Sequence, residues 1–434
     1  MTAALAAASE HLLALADAVA ARDPAPGRAI AALRRDGRTA FEASGLPHTG
    51  LEEWRYTGLS PLTALDLRLS EDDAQIDRAL LERVATPVFA CGLAVFANGR
   101  PRNALWGVPA GDVELASLRE ADPGSLACGV DPKLHPLAAL NGAMTEDGVL
   151  VRIPDGAQLE HPVHLVFVSS SPGTSSVSCP RVVIEAGAGC RAVVIQDHVC
   201  VGGGPAHFTN AVTEVAVGEN ADLAFALVQR EGEADIHASN LAVRQERDSR
   251  FASHVVTLGG RLVRNDLTVV LAGPGAECVL NGLYVGTGER LVDNHTLVDH
   301  AVPHGTSHEL YKGVLSDASR GVFRGRVVVR PDAQKTDATQ QNPNLLLSDG
   351  TEIDTKPQLE IHADDVKCSH GSAIGRIDED ALFYLRTRGI GQRDARALLT
   401  RGFAAEILGA LPGEALAEAL TADFIARLSG GTGA

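Results

Sequence analysis

The sequence predicts a mainly β chain with helical regions at both ends, and two observations indicate a repetitive, stacked core. From Val149 to about Gly375 the chain is almost entirely short apolar strands separated by Gly- or Asp-centred turns. The turn residues Gly187, Gly218 and Asp248 recur about 30 residues apart. A flattened solenoid with two strands per coil would give this spacing, because each coil needs a stacked neighbour to bury its faces. A β-sandwich with the same strand spacing is the rival fold.

The N-terminal part, residues 1–148, is expected to form a helical and mixed α/β region. Apolar residues recur at helical spacing between Leu5 and Val19, and Pro24 breaks that pattern. Asn98-Gly99 lies between apolar runs and predicts a β-hairpin. Trp54 is expected to anchor its loop on the body of the protein rather than to bind a ligand, because a lone Trp usually packs.

The β core is assigned to residues 149–375, and residues 376–434 are expected to form a helical domain at one end of it. After the core, apolar positions return to a helical period. Phe383, Leu385 and Ile390 are expected to hold the first of these helices against the core.

Composition excludes several classes of function. The 434 residues carry a net charge of −17, which argues against a nucleic-acid or anionic-membrane partner, since phosphate groups require a basic surface. No apolar run approaches the roughly 20 residues of a membrane helix, and the N-terminus is a poor signal peptide. The cysteines are odd in number and dispersed, as expected for reduced thiols in a cytoplasm. They are Cys91, Cys128, Cys179, Cys190, Cys200, Cys278 and Cys368.

Cys368 and His370 are the candidate metal ligands. Residues two apart on a strand share a face, and thiolate and imidazole suit iron, zinc or an iron–sulfur cluster. Two ligands do not close a site, so a second chain would have to complete it. On spacing alone, an ordinary buried thiol beside a hydrogen-bonded imidazole explains the pair more simply.

Four further histidines crowd one segment at helical spacing. Pro303 and Gly305 argue against a continuous helix there, so a structural turn with hydrogen-bonded histidines is preferred over a metal site. Two other histidine pairs rank lower still. The four are His295, His300, His304 and His308, and the two pairs are His161/His164 and His198/His207.

Cys278 lies in a predicted strand and is interpreted as a buried structural cysteine. The chain has no G-x-x-x-x-G-K-[ST], G-x-S-x-G or H-E-x-x-H motif. Its acidic residues give no obvious catalytic pair. We therefore expect no complete active site within one chain.

Several longer stretches resemble the SufB/SufD family of iron–sulfur cluster assembly scaffolds, and Lys367-Cys-Ser-His-Gly is similar to the SufD branch rather than to SufB. The stretches are Asp293-Asn-His-Thr-Leu-Val-Asp-His, His308-Glu-Leu-Tyr-Lys-Gly, Val322-Phe-Arg-Gly, Glu352-Ile-Asp-Thr-Lys-Pro, Leu359-Glu-Ile-His, Asp364-Asp-Val-Lys-Cys-Ser-His-Gly and Phe383-Tyr-Leu-Arg-Thr-Arg-Gly-Ile.

The resemblance implies a right-handed β-helix and a non-catalytic scaffold subunit. It implies pairing with a SufB-like subunit, binding of the SufC-like ABC ATPase through the C-terminal helices, and a homodimer as the alternative when the chain is alone. An iron–sulfur cluster would be assembled transiently in the complex, with no cofactor held stably by the lone chain. His370, and less firmly Cys368, would lie at the subunit interface. Arg388, Arg393 and Arg396 are left for a partner.

Two alternatives stay open at the level of sequence. One is a SufB-like subunit that accepts sulfur on a cysteine of the core. The other is a β-solenoid carbohydrate-active enzyme, which would need a groove with paired carboxylates. Co-purification with a P-loop ATPase would favour the scaffold, and turnover of a glycan by the lone chain would favour the enzyme.

Overall fold

The computed structural model describes residues 3–70, 76–88, 90–107, 113–122, 124, 130–171 and 173–430. The helices are α1 (Ala3–Arg22), α2 (Arg28–Ser44), α3 (Ser60–Thr63), α4 (Arg78–Val84), α5 (Pro136–Met144), α6 (Glu379–Thr387), α7 (Gln392–Gly409) and α8 (Glu414–Gly430), with 3₁₀ turns at Glu52–Trp54 and Asn103–Leu105.

The strands begin before the predicted core and continue to its end. They are β1 (Arg68–Leu69), β2 (Gly92–Ala97), β3 (Arg100–Pro101), β4 (Glu114–Ser117), β5 (Val149–Ile153), β6 (Val163–Ser169), β7 (Ser176–Ser178), β8 (Arg181–Ala186), β9 (Arg191–Cys200), β10 (His207–Val217), β11 (Asp222–Arg230), β12 (Ile236–Gln245), β13 (Arg250–Thr257), β14 (Leu262–Leu271), β15 (Glu277–Gly286), β16 (Leu291–His300), β17 (Thr306–Leu315), β18 (Arg320–Val329), β19 (Asp337–Leu346), β20 (Glu352–Thr355), β21 (Gln358–Ile361) and β22 (Lys367–Gly375).

Successive core strands alternate between two parallel sheets, which confirms the solenoid. The first sheet runs in the order β20-β18-β16-β14-β12-β10-β8-β5-β4, and the second in the order β22-β19-β17-β15-β13-β11-β9-β6-β2-β3. Each of about eight coils therefore gives one strand to each sheet. A Greek-key sandwich would have antiparallel ladders, so that alternative is wrong. The right hand of the helix stays a prediction.

One edge of the solenoid is built from turns that place a single residue per coil in the left-handed region. These residues recur every 27 to 31 positions, in agreement with the predicted repeat of about 30. Four of the six carry side chains, of types that include the Asn and Asp that tolerate this conformation best. They are Gly189, Asn220, Asp248, Gly275, His304 and Lys335, with φ between 54° and 73°.

Inward-facing side chains of stacked coils form ladders that fill the lumen. In the first sheet, valines pair in register through five consecutive coils, and each is at most 2% exposed. Burying a valine side chain stabilises the fold by about 1.5–3 kcal/mol, and no single coil can supply the neighbours that it needs. The ladder consists of Val215, Val243, Val269, Val298 and Val327.

The N-terminal region is joined to the solenoid rather than separate from it. Strand β2 pairs with β6 and β4 pairs with β5, so this region extends both sheets. Asn98 and Gly99, both at positive φ, form the turn between β2 and β3, which confirms the predicted hairpin. Helices α1, α2 and α5 pack together, and residues of α1 and α5 share a core with outward-facing residues of the first sheet such as Phe208.

Within the described residues, helix α1 comes nearest to a membrane span, although Glu10, His11 and Asp17 interrupt its apolar run. By length and composition it meets the requirement, with a mean hydropathy of 1.4, largely because it is rich in alanine. In the folded chain its buried residues Leu12 and Ala16 belong to the apolar core between the N-terminal helices and the first sheet.

Helices α7 and α8 lie along the flank of the solenoid, not at one end of it as expected. Leu408, Leu420 and Phe424 of α7 and α8 share a buried core with the outward-facing Val228 and Leu283 of the second sheet. The apolar outer face of that sheet explains this placement, since it would otherwise be exposed to water.

Candidate functional site at the open end of the solenoid

Strand β22 forms an open end of the solenoid. It pairs with β19 from Asp337↔Lys367 to Leu345↔Gly375, and within the described residues no strand pairs with its far edge. An edge of this kind presents unpaired N–H and C=O groups that can pair with another chain. Among the residues of β22 only Cys368 is half-buried, and the others are exposed.

Cys368 and His370 lie on the side of β22 that continues the lumen. Cys368 is in register with Ala338, a buried core residue, and packs against that core. His370 is in register with Gln340, which is 1% exposed. The two candidate ligands thus share one face of the terminal strand, and His370 is open to solvent.

The electrostatics of Cys368 favour the thiol over the thiolate. Burial raises its pKa, and the nearby Asp337 carboxylate adds to that rise. A metal ion or a base from elsewhere would be needed to remove the proton, because the thiolate is the form that binds metals.

Beneath His370 lies a polar column that sequence reasoning missed. Glu309, Gln340 and His370 occupy matching positions of three successive strands of the second sheet. Gln340 Nε2 donates a hydrogen bond of 2.6 Å to Glu309 Oε2. Burial raises the pKa of Glu309 to about 7. Only the alignment of successive coils, which repeat about every 30 residues, could have revealed this grouping.

A turn fixes the start of β22. The Lys335 ammonium pairs with the Asp365 carboxylate, and the Lys335 backbone N–H donates to the Asp365 carbonyl at 2.7 Å. The Asp365 backbone N–H donates to Gln334 Oε1 at 2.9 Å. These contacts hold the last coil on the one before it, and so set the position of Cys368 and His370.

The first C-terminal helix corrects part of the predicted packing. Leu385 and Ile390 pack against a core whose buried members include Leu382. Phe383, in contrast, is 67% exposed, so its predicted role in holding the helix on the core is wrong. The helical period explains this, since residue 383 lies about 100° around the helix from residue 382.

The three predicted partner-binding arginines differ in exposure. Arg388 and Arg393 are exposed, whereas Arg396 is half-buried. The Arg388 guanidinium lies 5.1 Å from the centre of the Tyr384 ring, and that ring is 56% exposed. Together with Phe383, these side chains form an aromatic and basic surface on α6 and just after it.

The crowded histidines are not brought together. They lie on two strands and the turn between them, and they face different sides. His295 faces outward and pairs with Asp293, His300 accepts or donates a 2.9 Å hydrogen bond with Ser307, and His308 does so with Thr339 at 2.7 Å. His304 is the left-handed turn residue of its coil. The geometry therefore favours a structural role for these four histidines over a metal site.

Cys278 is 1% exposed in the lumen, and burial raises its pKa well above the usual range. That environment suits a structural thiol, as predicted. Six cysteines lie within the described residues and none of those six is in a disulfide; Cys128 lies outside the described residues.

Trp54 packs as expected. It is 6% exposed, and the Arg264 guanidinium stacks 3.8 Å from its ring centre. Arg264 also pairs with Asp266 and Asp293 at 2.8 and 2.7 Å. This network fastens the N-terminal loop to the outer face of the first sheet.

Of the lower-ranked histidines, three have buried polar partners. His164 lies 3.6 Å from the Asp197 carboxylate, and His207 bonds to Ser176 and Ser178 at 2.8 Å each. His198 lies in the lumen with His237 and Glu231, two residues that sequence analysis did not identify.

Comparison with known proteins identifies the family to which this architecture belongs. Residues 167–403 match the family described as SUF system FeS cluster assembly, SufBD core domain. The chain is 32% identical over 393 residues to the iron-sulfur cluster assembly protein SufD of Escherichia coli, covering 89% of this chain and 90% of that protein. It is 30% identical over 393 residues to an iron-sulfur cluster assembly SufBD family protein of Synechocystis, covering 85% and 84%. It is 28% identical over 295 residues to SufD of Bacillus subtilis, covering 67% of each.

The chain is a parallel β-solenoid with helical ends and an open terminal coil, and known family members match it over most of its length. It belongs to the SufB/SufD family of the SUF iron–sulfur cluster assembly system. Within that family it falls in the SufD branch.

Proposed function

We propose that this chain is the SufD-like scaffold subunit of a SufBCD complex and is not an enzyme by itself. It pairs with a SufB-like subunit through the open end of the solenoid and binds a SufC-like ABC ATPase through its C-terminal helices. The iron–sulfur cluster is cargo that is assembled transiently in the complex. A cytoplasmic setting is proposed because the six described cysteines are unpaired.

The observation that carries this proposal is the unpaired edge of β22 with Cys368 and His370 side by side on it. A second subunit approaching about a two-fold or pseudo-two-fold axis would bring its own terminal strand against this edge in antiparallel orientation. The same approach would bring further ligands to His370 and Cys368, which are too few to close a site alone.

Exposed apolar side chains at this end support an interface. Ile374 at the end of β22 is 53% exposed and Ile361 at the end of β21 is 42% exposed. Exposed apolar side chains grouped at one end of a molecule are typical of protein–protein contacts. The same surface serves a homodimer when the SufB-like partner is missing.

The proposed ATPase contact is the surface of Phe383, Tyr384, Arg388 and Arg393. Aromatic and arginine side chains dominate the energetics of protein interfaces, and here the protein's own core leaves them exposed. The exposed arginines of this surface suit a partner with an acidic patch.

Pairing is tested by charging the open end. Ile374→Asp should weaken co-purification with the SufB-like subunit at least about tenfold, because a buried unpaired carboxylate is costly at an interface. The fold should be unchanged, since Ile374 is already half-exposed. Leu134→Asp, which charges a 74% exposed leucine far from β22 in the chain, is the control. Equal co-purification of both variants with the SufB-like subunit would contradict the proposed interface.

A further inference from the structure

A second candidate metal site lies inside the lumen, among side chains that are distant in sequence from Cys368 and His370. His198 on β9, Glu231 just after β11 and His237 on β12 are all buried. Each offers one ligand atom, and the three atoms lie within 4.8 Å of one another. The cluster joins three strands from both sheets.

His237 contacts both of the other side chains. His237 Nδ1 lies 2.7 Å from Glu231 Oε2. The His198 and His237 rings are 4.8 Å apart, centre to centre, and nearly perpendicular at 77°. Ligand atoms about 2.0–2.2 Å from one ion lie about 3.3 Å apart, so binding requires only a small closure of the three side chains.

One buried ring nitrogen lacks a partner. His237 is 0% exposed, yet its Nε2 has no hydrogen-bond partner among the described residues. Buried polar atoms in folded proteins are almost always satisfied. Among the described residues three other buried imidazole nitrogens also lack a partner, but this one belongs to a cluster of two histidines and a carboxylate and therefore points to a ligand.

We propose that His198, Glu231 and His237 bind one divalent first-row transition metal ion within the lumen. The ion takes the ring nitrogen of His237 that the contact with Glu231 leaves free, Nε2. Two imidazoles and one carboxylate suit Fe²⁺, Co²⁺, Zn²⁺ or Mn²⁺ rather than a soft ion such as Cu⁺. Because the ligands are enclosed, the ion is loaded as the chain folds and acts as a structural tie between coils.

The site is distinct from the proposed interface site. Strands β9 and β22 are six strand spacings apart in the second sheet, which is about 29 Å at 4.8 Å per spacing. The lumen site contains no sulfur ligand, whereas Cys368 stands beside His370. The inference therefore does not depend on the proposed scaffold function.

The test is the metal content of the full chain produced in minimal medium with Co²⁺ or Zn²⁺ and washed with EDTA. We expect about one equivalent per chain, and at least a tenfold loss in His198→Gln/His237→Gln. His207→Gln is the matched control, since His207 is a buried lumen histidine held only by serine hydroxyls. That control and Cys368→Ala/His370→Ala should keep the ion.

X-ray absorption of the Co²⁺ protein should show nitrogen and oxygen ligands without sulfur, and it needs no variant, so it decides the matter if the double variant fails to fold. Less than about one tenth of an equivalent in the wild-type chain, full retention in the folded double variant, or a sulfur ligand in the spectrum would each overturn the proposal.

Discussion

Individual side chains in this solenoid act through the coil above or below them, and the column Glu309–Gln340–His370 shows why. Strand alternation in the sequence was enough to place Cys368 and His370 on one face of β22. It could not place Glu309 under them, since that contact depends on the register between coils. For the same physical reason the sequence did not reveal that Glu231 and His237 lie against His198.

The enclosed carboxyl of Glu309 makes stability depend on pH. Burial raises its pKa in the folded chain to about 7, above its ordinary value near 4.3. The folded state therefore holds this proton more tightly, and the contribution is complete below about pH 4 and is lost as pH rises through about 7.

Glu309→Gln should remove this dependence. Relative to the variant, the free energy of unfolding of the wild-type chain should fall by about 1–3 kcal/mol between pH 5 and pH 8. Urea unfolding of both proteins across that range measures the difference. A difference that stays constant with pH would show that Glu309 titrates as it does in the unfolded chain.

In the proposed SufBCD complex, His370→Ala should reduce cluster assembly while leaving the fold and ATPase binding unchanged. His370 is exposed on the last strand, so its removal leaves no cavity, but it takes away half of the local ligand pair. Cluster formation is measured by absorption after anaerobic reconstitution with iron and sulfide.

Replacement of His295 provides the contrast. His295 pairs with Asp293 in a buried network that also holds Arg264, so His295→Ala should act through stability, by about 1–3 kcal/mol. Cluster assembly at the normal rate by the His370→Ala complex would refute the interface site.

At the scale of elements, periodicity predicted the existence of the C-terminal helices better than the faces that they bury. Leu385 and Ile390 pack as expected, but Phe383 does not. When a short helix has apolar residues at consecutive positions, its sequence alone does not show which of them faces the core. The choice is made by the surface that the helix meets, which lies elsewhere in the sequence.

The exposed surface of α6 and the start of α7 gives a prediction for the proposed ATPase contact. Arg388→Glu/Arg393→Glu should weaken binding of the SufC-like subunit at least tenfold, about 1.4 kcal/mol or more, with no change in thermal unfolding because both side chains are exposed. Arg35→Glu on α2, whose side chain is 71% exposed, is the control. Binding is measured by titration calorimetry, and unchanged affinity of the Arg388→Glu/Arg393→Glu variant would place the contact elsewhere.

At the scale of the whole molecule, the repeat is the feature that the sequence predicted most clearly. The left-handed turn residues recur once per coil, and the strand and turn chemistry of each coil is local, so a solenoid was predictable. The position of the C-terminal helices was not, because it depends on the outer face of the second sheet being apolar over several coils. In those strands both the inward-facing and the outward-facing positions are apolar, so the sequence does not show that the outer face is covered by helices.

The flank position of α7 and α8 changes what removal of the tail should do. Phe424 is fully buried against the second sheet, so Phe424→Ala should lower the free energy of unfolding by about 3–5 kcal/mol. Leu398→Ala, at a 47% exposed position of α7, should cost less than about 1 kcal/mol.

Deletion of residues 376–434 should expose the outer face of the second sheet and cause self-association, which light scattering measures. A stable, monodisperse truncated core would show instead that the helices are only docked on a self-sufficient solenoid.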